Sequence, residues 1–354
     1  MSDMAVSQPV DVDPTIADFS AIGRWMDEQG LPGTEFGEVT AIGGGTQNIM
    51  LRFTRGEREY VLRRGPQHLR AKSNEVIARE SRLLRALDDT RVRAPRVIAA
   101  CDDESVIGAV FYLMEPIRGF NPQTELPALH AENPEVRRQM GLSAVEAIAR
   151  LGALDYRALG LQDYGRPEGF LERQVPRWLR ELDSYTANEG YPGPRIPGVE
   201  QVGDWLQRHR PTTWAPGIMH GDCHLANMMF DYDGPQVAAM VDWEMSTIGD
   251  PLLDLGWQLA TRPEPGTVGA GLMGTLGTVG GLPTPQEMIE HYAGFSDRDL
   301  SAITWYEVLA CFKLGIVLEG THARAFAGKA PKPVGDFLHA VTLELFEKAQ
   351  KLMQ

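Results

Sequence analysis

The chain has 354 residues, with 34 lysines and arginines against 48 aspartates and glutamates, a formal net charge of −14 and 43% apolar residues. This length suffices for two domains or lobes with a real core, and the acidity argues against nucleic acid and anionic membranes as partners, since both need a basic footprint. Three distant cysteines (Cys101, Cys223, Cys311), no apolar run near the ~20 residues of a membrane span and no basic-then-apolar leader point to a reducing, cytoplasmic setting.

Residues 1–14 are polar and expected to be a disordered tail. Phe19, Ile22 and Met26 fall at helical spacing. A strand over 38–42, a glycine loop over 43–48, a strand over 49–53, a turn at 55–57 and a strand over 60–63 follow. Residues 73–87 read as a helix with Ser73 as N-cap and Ile77, Leu84 and Leu87 as its apolar stripe. Glu80 falls on that stripe, so a partner is expected for it, because an unpaired buried charge is costly. Residues 106–114 read as a strand, and Glu115-Pro-Ile-Arg-Gly119 as a hinge. Beyond it the pattern is mainly helical, around 134–154, 168–186 and 199–209, interrupted by a hairpin near 227–242. Seven glycines in 266–281 predict a flexible loop outside the core. Thr284-Pro-Gln-Glu287 has the form of a capping box with proline at the first helical position, and a long apolar helix is expected over 303–317. The expectation is an α+β chain: a β-rich N-lobe over 15–114 with one key helix, a hinge over 115–119 and a larger helical C-lobe over 120–354.

Charge is uneven along the chain. Residues 55–96 carry twelve Arg or Lys against six acids, and residues 211–261 carry seven acids and no Lys or Arg. Such a block is either a solvated acidic face or a divalent-cation site. The stretch His220-Gly-Asp222-Cys-His-Leu-Ala-Asn227 favours the second reading. The hairpin after it turns at Asp231-Tyr-Asp-Gly-Pro235, so pairing about that turn sets Asn227 beside Asp242, with Asp222 in the loop just before. Two carboxylates and a carboxamide oxygen are hard ligands suited to Mg²⁺ and phosphates. His220, Cys223 and His224 could suggest zinc, but no second Cys/His cluster exists to close a tetrahedral site. Cys223 beside Asp222 is a poor nucleophile, since a neighbouring carboxylate raises a thiol pKa. Trp178, Trp257, Trp305 and Tyr306 read as core more readily than as a substrate pocket.

H-G-D-x-x-x-x-N followed by a hairpin and an Asp resembles the kinase catalytic loop with its metal-binding Asp. With glycine second, and with Gly249-Asp-Pro-Leu-Leu-Asp254-Leu downstream, the sequence is similar to the aminoglycoside phosphotransferase family of the protein-kinase-like fold. Thr284–Tyr292 and Lys313–Gly320 resemble the branch fused to some acyl-CoA dehydrogenases. The resemblance implies a bilobal kinase-like fold and transfer of the γ-phosphoryl of Mg-ATP, or GTP, to a small-molecule hydroxyl. It implies Asp222 as catalytic base, Asn227 and Asp242 as Mg²⁺ ligands, and Glu244 as a further acid near the metal. Gly43, Gly44, Gly45, Thr46, Gln47 and Asn48 would cover the phosphates. Arg63 stands where kinases usually carry Lys, with Glu80 as its partner, and the exchange is not conservative because guanidinium is bulkier and binds phosphate bidentately. Met114, Glu115 and Ile117 would meet the nucleobase. His220, Asp250 and Asp254 would be structural. The competing reading is a nucleotide-binding module with weak catalysis, recorded in Arg63. A protein kinase is excluded by the absence of H-R-D, D-F-G and A-P-E strings.

Overall fold

The computed structural model describes residues 16–31, 33, 35–43 and 48–354. The tail expected over 1–14 and the loop residues Gly44, Gly45, Thr46 and Gln47 lie outside the described residues. The chain divides into two units. The smaller holds everything up to Gly119 together with Leu159–Leu161 and Ala238–Glu244; the larger holds Phe120–Ala158, Gln162–Val237 and Met245–Gln354.

In the smaller unit, α1 (Phe19–Glu28) starts on Asp18, whose carboxylate accepts from the Ser20 and Ala21 N–H groups. A five-stranded antiparallel sheet follows: β1 (Thr40–Ala41), β2 (Ile49–Arg55), β3 (Arg58–Arg64), β4 (Val97–Cys101) and β5 (Phe111–Met114), in the order β1-β2-β3-β5-β4. The β2–β3 hairpin turns on Gly56-Glu57, with Gly56 at φ +60, the left-handed first position of a tight hairpin turn. Strand periodicity then sorts the side chains of β3. Tyr60 and Leu62 join Leu51, Phe53, Phe111, Leu113 and the apolar stripe of α1 in one core. Arg63 takes the other face, which α2 (Ser73–Leu87) covers with Ile77, Glu80 and Leu84 buried. This alternation hands a buried arginine to a buried glutamate.

Three local expectations need correction here. Ser73 is not the N-cap of α2: the cap is Lys72, and the Ser73 hydroxyl accepts from the Arg70 N–H, closing the preceding turn instead. The strand expected over 106–114 begins only at Phe111, because residues 104–108 form a turn that ends on Gly108 at φ +73. β4 was not anticipated; its Val-Ile-Ala-Ala-Cys sequence follows Pro95 and carries two alanines, a weak strand signal.

The larger unit is mainly helical. In chain order it contains α3 (Ala128–Glu132), α4 (Pro134–Gly152), α5 (Gln174–Ser184), α6 (Val199–Arg208), β6 (Gly217–Met219), β7 (Met228–Phe230) and β8 (Val237–Met240), the last of which passes into the smaller unit at Ala238. Then come β9 (Thr247–Gly249), antiparallel to β6, and α7 (Leu252–Thr261), α8 (Gly274–Val279), α9 (Pro285–Ala293), α10 (Ile303–Phe326) and α11 (Lys332–Leu352). The capping box at Thr284 and Glu287 forms as its sequence dictates. α10 packs against α5, α6, α7 and α11, so it is apolar on nearly every side. The helix expected over 168–186 is shorter, starting at Gln174 after a series of turns. The glycine-rich 266–281 is not a loop outside the core: it makes a 3-10 turn over Gly269–Met273 and then α8, burying Ala270, Met273 and Leu276. Gly277 serves close packing: a Cβ there would stand 1.9 Å from the Ala270 carbonyl oxygen.

Gly256 makes the same point on α7, with a measurable consequence. A Cβ there would lie 2.6 Å from the backbone of Tyr306, so α7 and α10 touch backbone to backbone. Gly256→Ala gains about 1 kcal/mol of helix propensity but must push two buried helices apart. The expected net loss is about 1–3 kcal/mol, read as a lower denaturant midpoint; an unchanged or higher midpoint would show that the helices separate freely.

Candidate active site

Within the smaller unit the side chains converge on Arg63. Its Nε donates to Glu80 Oε2 at 2.8 Å and its Nη2 to Asp242 Oδ1 at 3.1 Å. The guanidinium is 8% exposed and Glu80 2%, whereas Asp242 is 43% exposed. Glu80 Oε1 also accepts from the Trp243 N–H at 3.2 Å, so one buried carboxylate ties α2, β3 and the 238–244 segment together. Burial alone would lower the arginine's pKa, but Glu80, with Tyr112 and Asp242, outweighs it and holds the charge firmly in place. Asp242 has φ +65, the one left-handed residue other than glycine among the described residues. Such a conformation is costly for a side-chain-bearing residue and persists where its surroundings enforce it; here the surroundings are the Arg63 contact and the buried Trp243, whose indole N–H donates to the Met240 carbonyl. Asn48, at the end of the glycine loop, donates to Glu244 Oε2 at 3.1 Å.

Within the larger unit a second group forms around the loop 220–227. Gly221 has φ +86, and a Cβ there would stand 2.4 Å from the Met245 carbonyl oxygen. This is the physical reason for glycine between His220 and Asp222. Asp254, fully buried at the start of α7, accepts from the His220 N–H at 2.6 Å and the Gly221 N–H at 2.9 Å. Burial raises its carboxyl to about 6, with those two donors pulling the other way. From α10, Lys313 Nζ donates to the Gly221 carbonyl at 2.7 Å and lies 4.2 Å from the centre of the Trp257 ring. Burial lowers its ammonium to about 8, against the pull of Asp222 and Asp254. The loop is thus held by an acid on its N–H side and a base on its carbonyl side.

Asp222 and Asn227 meet in this loop. Asn227 Nδ2 donates to the Asp222 carbonyl at 2.9 Å and to Asp222 Oδ2 at 3.2 Å. With the amide nitrogen so used, the amide oxygen is the atom Asn227 can offer to a ligand. Asn227 is not in a strand, as its spacing suggested, but ends a 3-10 turn over Leu225–Asn227; the hairpin turn behind it closes through Asp231 N–H to Gln236 O at 3.0 Å. Cys223 is buried, and burial with Asp254 nearby pushes its thiol up, so it is a packing residue. Asp250 is likewise structural: it accepts from the Leu252 N–H and from the Tyr306 hydroxyl. Trp178, Trp257, Trp305 and Tyr306 are all buried.

Met114 ends β5 and is buried, and Glu115 pairs with Arg58 and Arg96. The Glu115 N–H is spent on the Arg96 carbonyl, so of its backbone groups only the carbonyl can serve a ligand. Gly43 has φ +76 and open space where a side chain would stand. Asp254 is structural, as the resemblance implied, whereas the role of Lys313 in holding the loop was missed; its signal was a lone ammonium in the apolar run 308–316.

The donor chemistry fits a hard cation. In the larger unit Asn227 retains an amide oxygen, and in the smaller unit Asp242 Oδ2 has no hydrogen bond among the described residues, Oδ1 being taken by Arg63; each by itself is an oxygen donor of the kind such a cation takes. No helix among the described residues is long and apolar enough to cross a membrane, and all three cysteines are reduced and buried.

Residues 38–290 match the model of the phosphotransferase enzyme family. The chain is 29% identical over 296 residues to mouse (Mus musculus) acyl-CoA dehydrogenase family member 10, covering 83% of this chain and 27% of that protein. It is 30% identical over 289 residues to human acyl-CoA dehydrogenase family member 11, covering 80% of this chain and 36% of that protein. It therefore spans about a third of the length of these curated relatives. Among solved structures it is similar to a Ralstonia eutropha JMP134 protein classed with the aminoglycoside phosphotransferases: 28% identity, TM-score 0.76, covering 94% of this chain and 98% of that one. The fold is the kinase-like one its motifs imply, with a small antiparallel sheet and a larger helical part.

Proposed function

Because the chain belongs to the phosphotransferase enzyme family, we propose that it moves the γ-phosphoryl group of a nucleoside triphosphate, held as its Mg²⁺ complex, to the hydroxyl of a small molecule in the cytoplasm. The observation that carries this reading is the buried Arg63–Glu80–Asp242 constellation. A charged pair is kept out of water at a desolvation cost, and it holds the exposed one of the two carboxylates, Asp242, in a left-handed conformation. A strained, exposed carboxylate held by a buried arginine supports a phosphate-and-cation site over a purely structural ion pair.

In this reading Asp222 accepts the proton of the acceptor hydroxyl as its oxygen attacks the γ-phosphorus in line. Asn227 orients Asp222 through Nδ2. Asn227 and Asp242 would be the residues that hold Mg²⁺, which when bound would supply neutralisation of phosphate charge. Glu244 stands near them as a further acid, with Asn48 held against it. Arg63 contributes positive charge toward the nucleotide phosphates while anchored by Glu80, and the residues 43–48 cover those phosphates with backbone N–H groups. The Glu115 carbonyl and the Ile117 N–H meet the base edge beside Met114. ATP is the first candidate and GTP the second, since an aminoglycoside phosphotransferase of the same fold is known with GDP and kanamycin bound. For the acceptor, the relatives joined to acyl-CoA dehydrogenases favour a hydroxylated acyl compound over a drug.

A second reading is a nucleotide-binding module without turnover. It is favoured by Arg63 alone, whose guanidinium is already shared between Glu80 and Asp242. Thermal shift with ATP and GTP, with and without Mg²⁺, followed by product release over a panel of kanamycin, ethanolamine, choline and hydroxyacyl thioesters, separates the two. The expected result is a nucleotide shift that requires Mg²⁺ and acceptor-dependent ADP or GDP release. A Mg²⁺-dependent shift with no acceptor-dependent release across the panel would favour the module, and a Mg²⁺-independent shift would remove the assigned cation ligands.

A further inference from the structure

α10 and α11 are joined by residues 327–331 and run back along each other. Glu319 and His322 lie three residues apart on α10 and so share a face; His339 comes from α11. The Glu319 side chain is 0% exposed, and a buried carboxylate needs compensation. Three groups supply it: the Tyr191 hydroxyl on Oε1 at 2.6 Å, His322 Nδ1 on Oε1 at 3.0 Å and His339 Nδ1 on Oε2 at 2.6 Å. The two imidazoles stack, with centroids 4.3 Å apart and planes 25° apart. One nitrogen from each ring and a carboxylate oxygen all fall within 4.8 Å of one another. None of these residues belongs to the constellation assigned to phosphoryl transfer.

We propose that Glu319, His322 and His339 form a binding site for a divalent transition-metal cation of the Zn²⁺ class. Two imidazole nitrogens and a carboxylate oxygen are a Zn²⁺ donor set, and three protein ligands leave a fourth position for water. Ligands about 2.0–2.1 Å from one ion stand roughly 3.3 Å apart, so the hydrogen-bonded pairs at 2.6 and 3.0 Å need only a small expansion to admit it. To bind, each ring gives up the Nδ1 proton that points at the carboxylate and carries its one proton on Nε2, so that each coordinates as neutral imidazole. Imidazole ligands select against Mg²⁺, so the cation of the nucleotide does not compete. Outer contacts are already in place. The Tyr191 hydroxyl stays on Glu319, and His322 Nε2 faces Asp336 Oδ1 at 3.8 Å, an ion-pair distance, which orients the ring. The Tyr191 and Phe326 rings meet His322 edge-on and shield it. A surface pocket lined by Ala325, Phe326, Lys332 and Asp336 lies beside the cluster, Phe326 and Asp336 being neighbours of His322. Bound there, it cross-braces α10 and α11.

The test is calorimetric titration of the metal-free full chain with ZnCl₂ in excess Mg²⁺, paired with CoCl₂ and visible spectroscopy. One equivalent of Zn²⁺ is expected to bind and raise the melting temperature, and Co²⁺ to give ligand-field bands. His339→Gln and Glu319→Gln should each weaken Zn²⁺ binding by about 100-fold and abolish the thermal shift. His339→Gln, at a partly exposed position, keeps the test valid should the buried Glu319 variant fold poorly. Absence of saturable one-to-one binding, or unchanged affinity in a folded His339→Gln, overturns the proposal and leaves a hydrogen-bonded brace. Neither result bears on the phosphotransferase reading, which Asp222 variants test separately.

Discussion

Asp222→Asn is expected to lower kcat for phosphoryl transfer by about 10²–10⁴-fold, the usual worth of a positioned general base, while nucleotide affinity stays within a few-fold. The reason lies in the loop geometry. Asn227 Nδ2 reaches both the backbone carbonyl and Oδ2 of residue 222. An asparagine there still presents one oxygen to that donor and leaves the backbone bond untouched. Asp254 and Lys313 grip the loop at His220 and Gly221, upstream of the changed side chain. The substitution therefore removes proton acceptance and little else. Acceptor-dependent nucleoside diphosphate release, measured beside nucleotide binding by calorimetry, checks it. A kcat within threefold of wild type would remove Asp222 from the chemistry; a collapse in nucleotide affinity with an unchanged kcat would make it a binding residue instead.

What could be read from the sequence depended on whether a signal was local. The capping box at Thr284, the Gly56 turn and the helix over 73–87 are decided by residues within a few positions of each other, and each forms. Glu80 was legible as a buried acid because helical periodicity placed it on an apolar stripe. Its link to Trp243 was not, since 163 positions separate them. Lys313 shows the opposite failure: its helix was evident, but nothing nearby in sequence says that its ammonium meets the Gly221 carbonyl. The stretch 266–281 misled because glycine marks flexible turns and close packing alike; only the distance from Gly277 to the Ala270 carbonyl separates the two. The last helix, Lys332–Leu352, starts within Ala330-Pro-Lys-Pro333, where Pro333 serves as a first-turn residue.

Glu80→Ala is expected to cost about 3–5 kcal/mol of stability, because it strands a buried charge. Arg63, its side chain 8% exposed, would keep Asp242 as its one charged partner among the described residues, and the Trp243 N–H would lose its acceptor. Glu80→Gln keeps an acceptor for Trp243 but no charge for Arg63, so an intermediate loss follows. The informative variant is the pair Arg63→Met with Glu80→Met. Replacing both ions with apolar groups of similar volume is often neutral, and Asp242, 43% exposed, falls back on water. Denaturant midpoints should therefore drop for Glu80→Ala and return close to wild type for the double variant. Nucleotide affinity should not return with them if, as proposed, Arg63 is the cation that faces the phosphates. If the double variant regains both stability and nucleotide binding, Arg63 has no part in holding phosphate. If it stays as unstable as Glu80→Ala, the loss comes from packing or the Trp243 contact rather than from the stranded charge. Recovery of one property without the other is what a site, as opposed to a structural ion pair, demands.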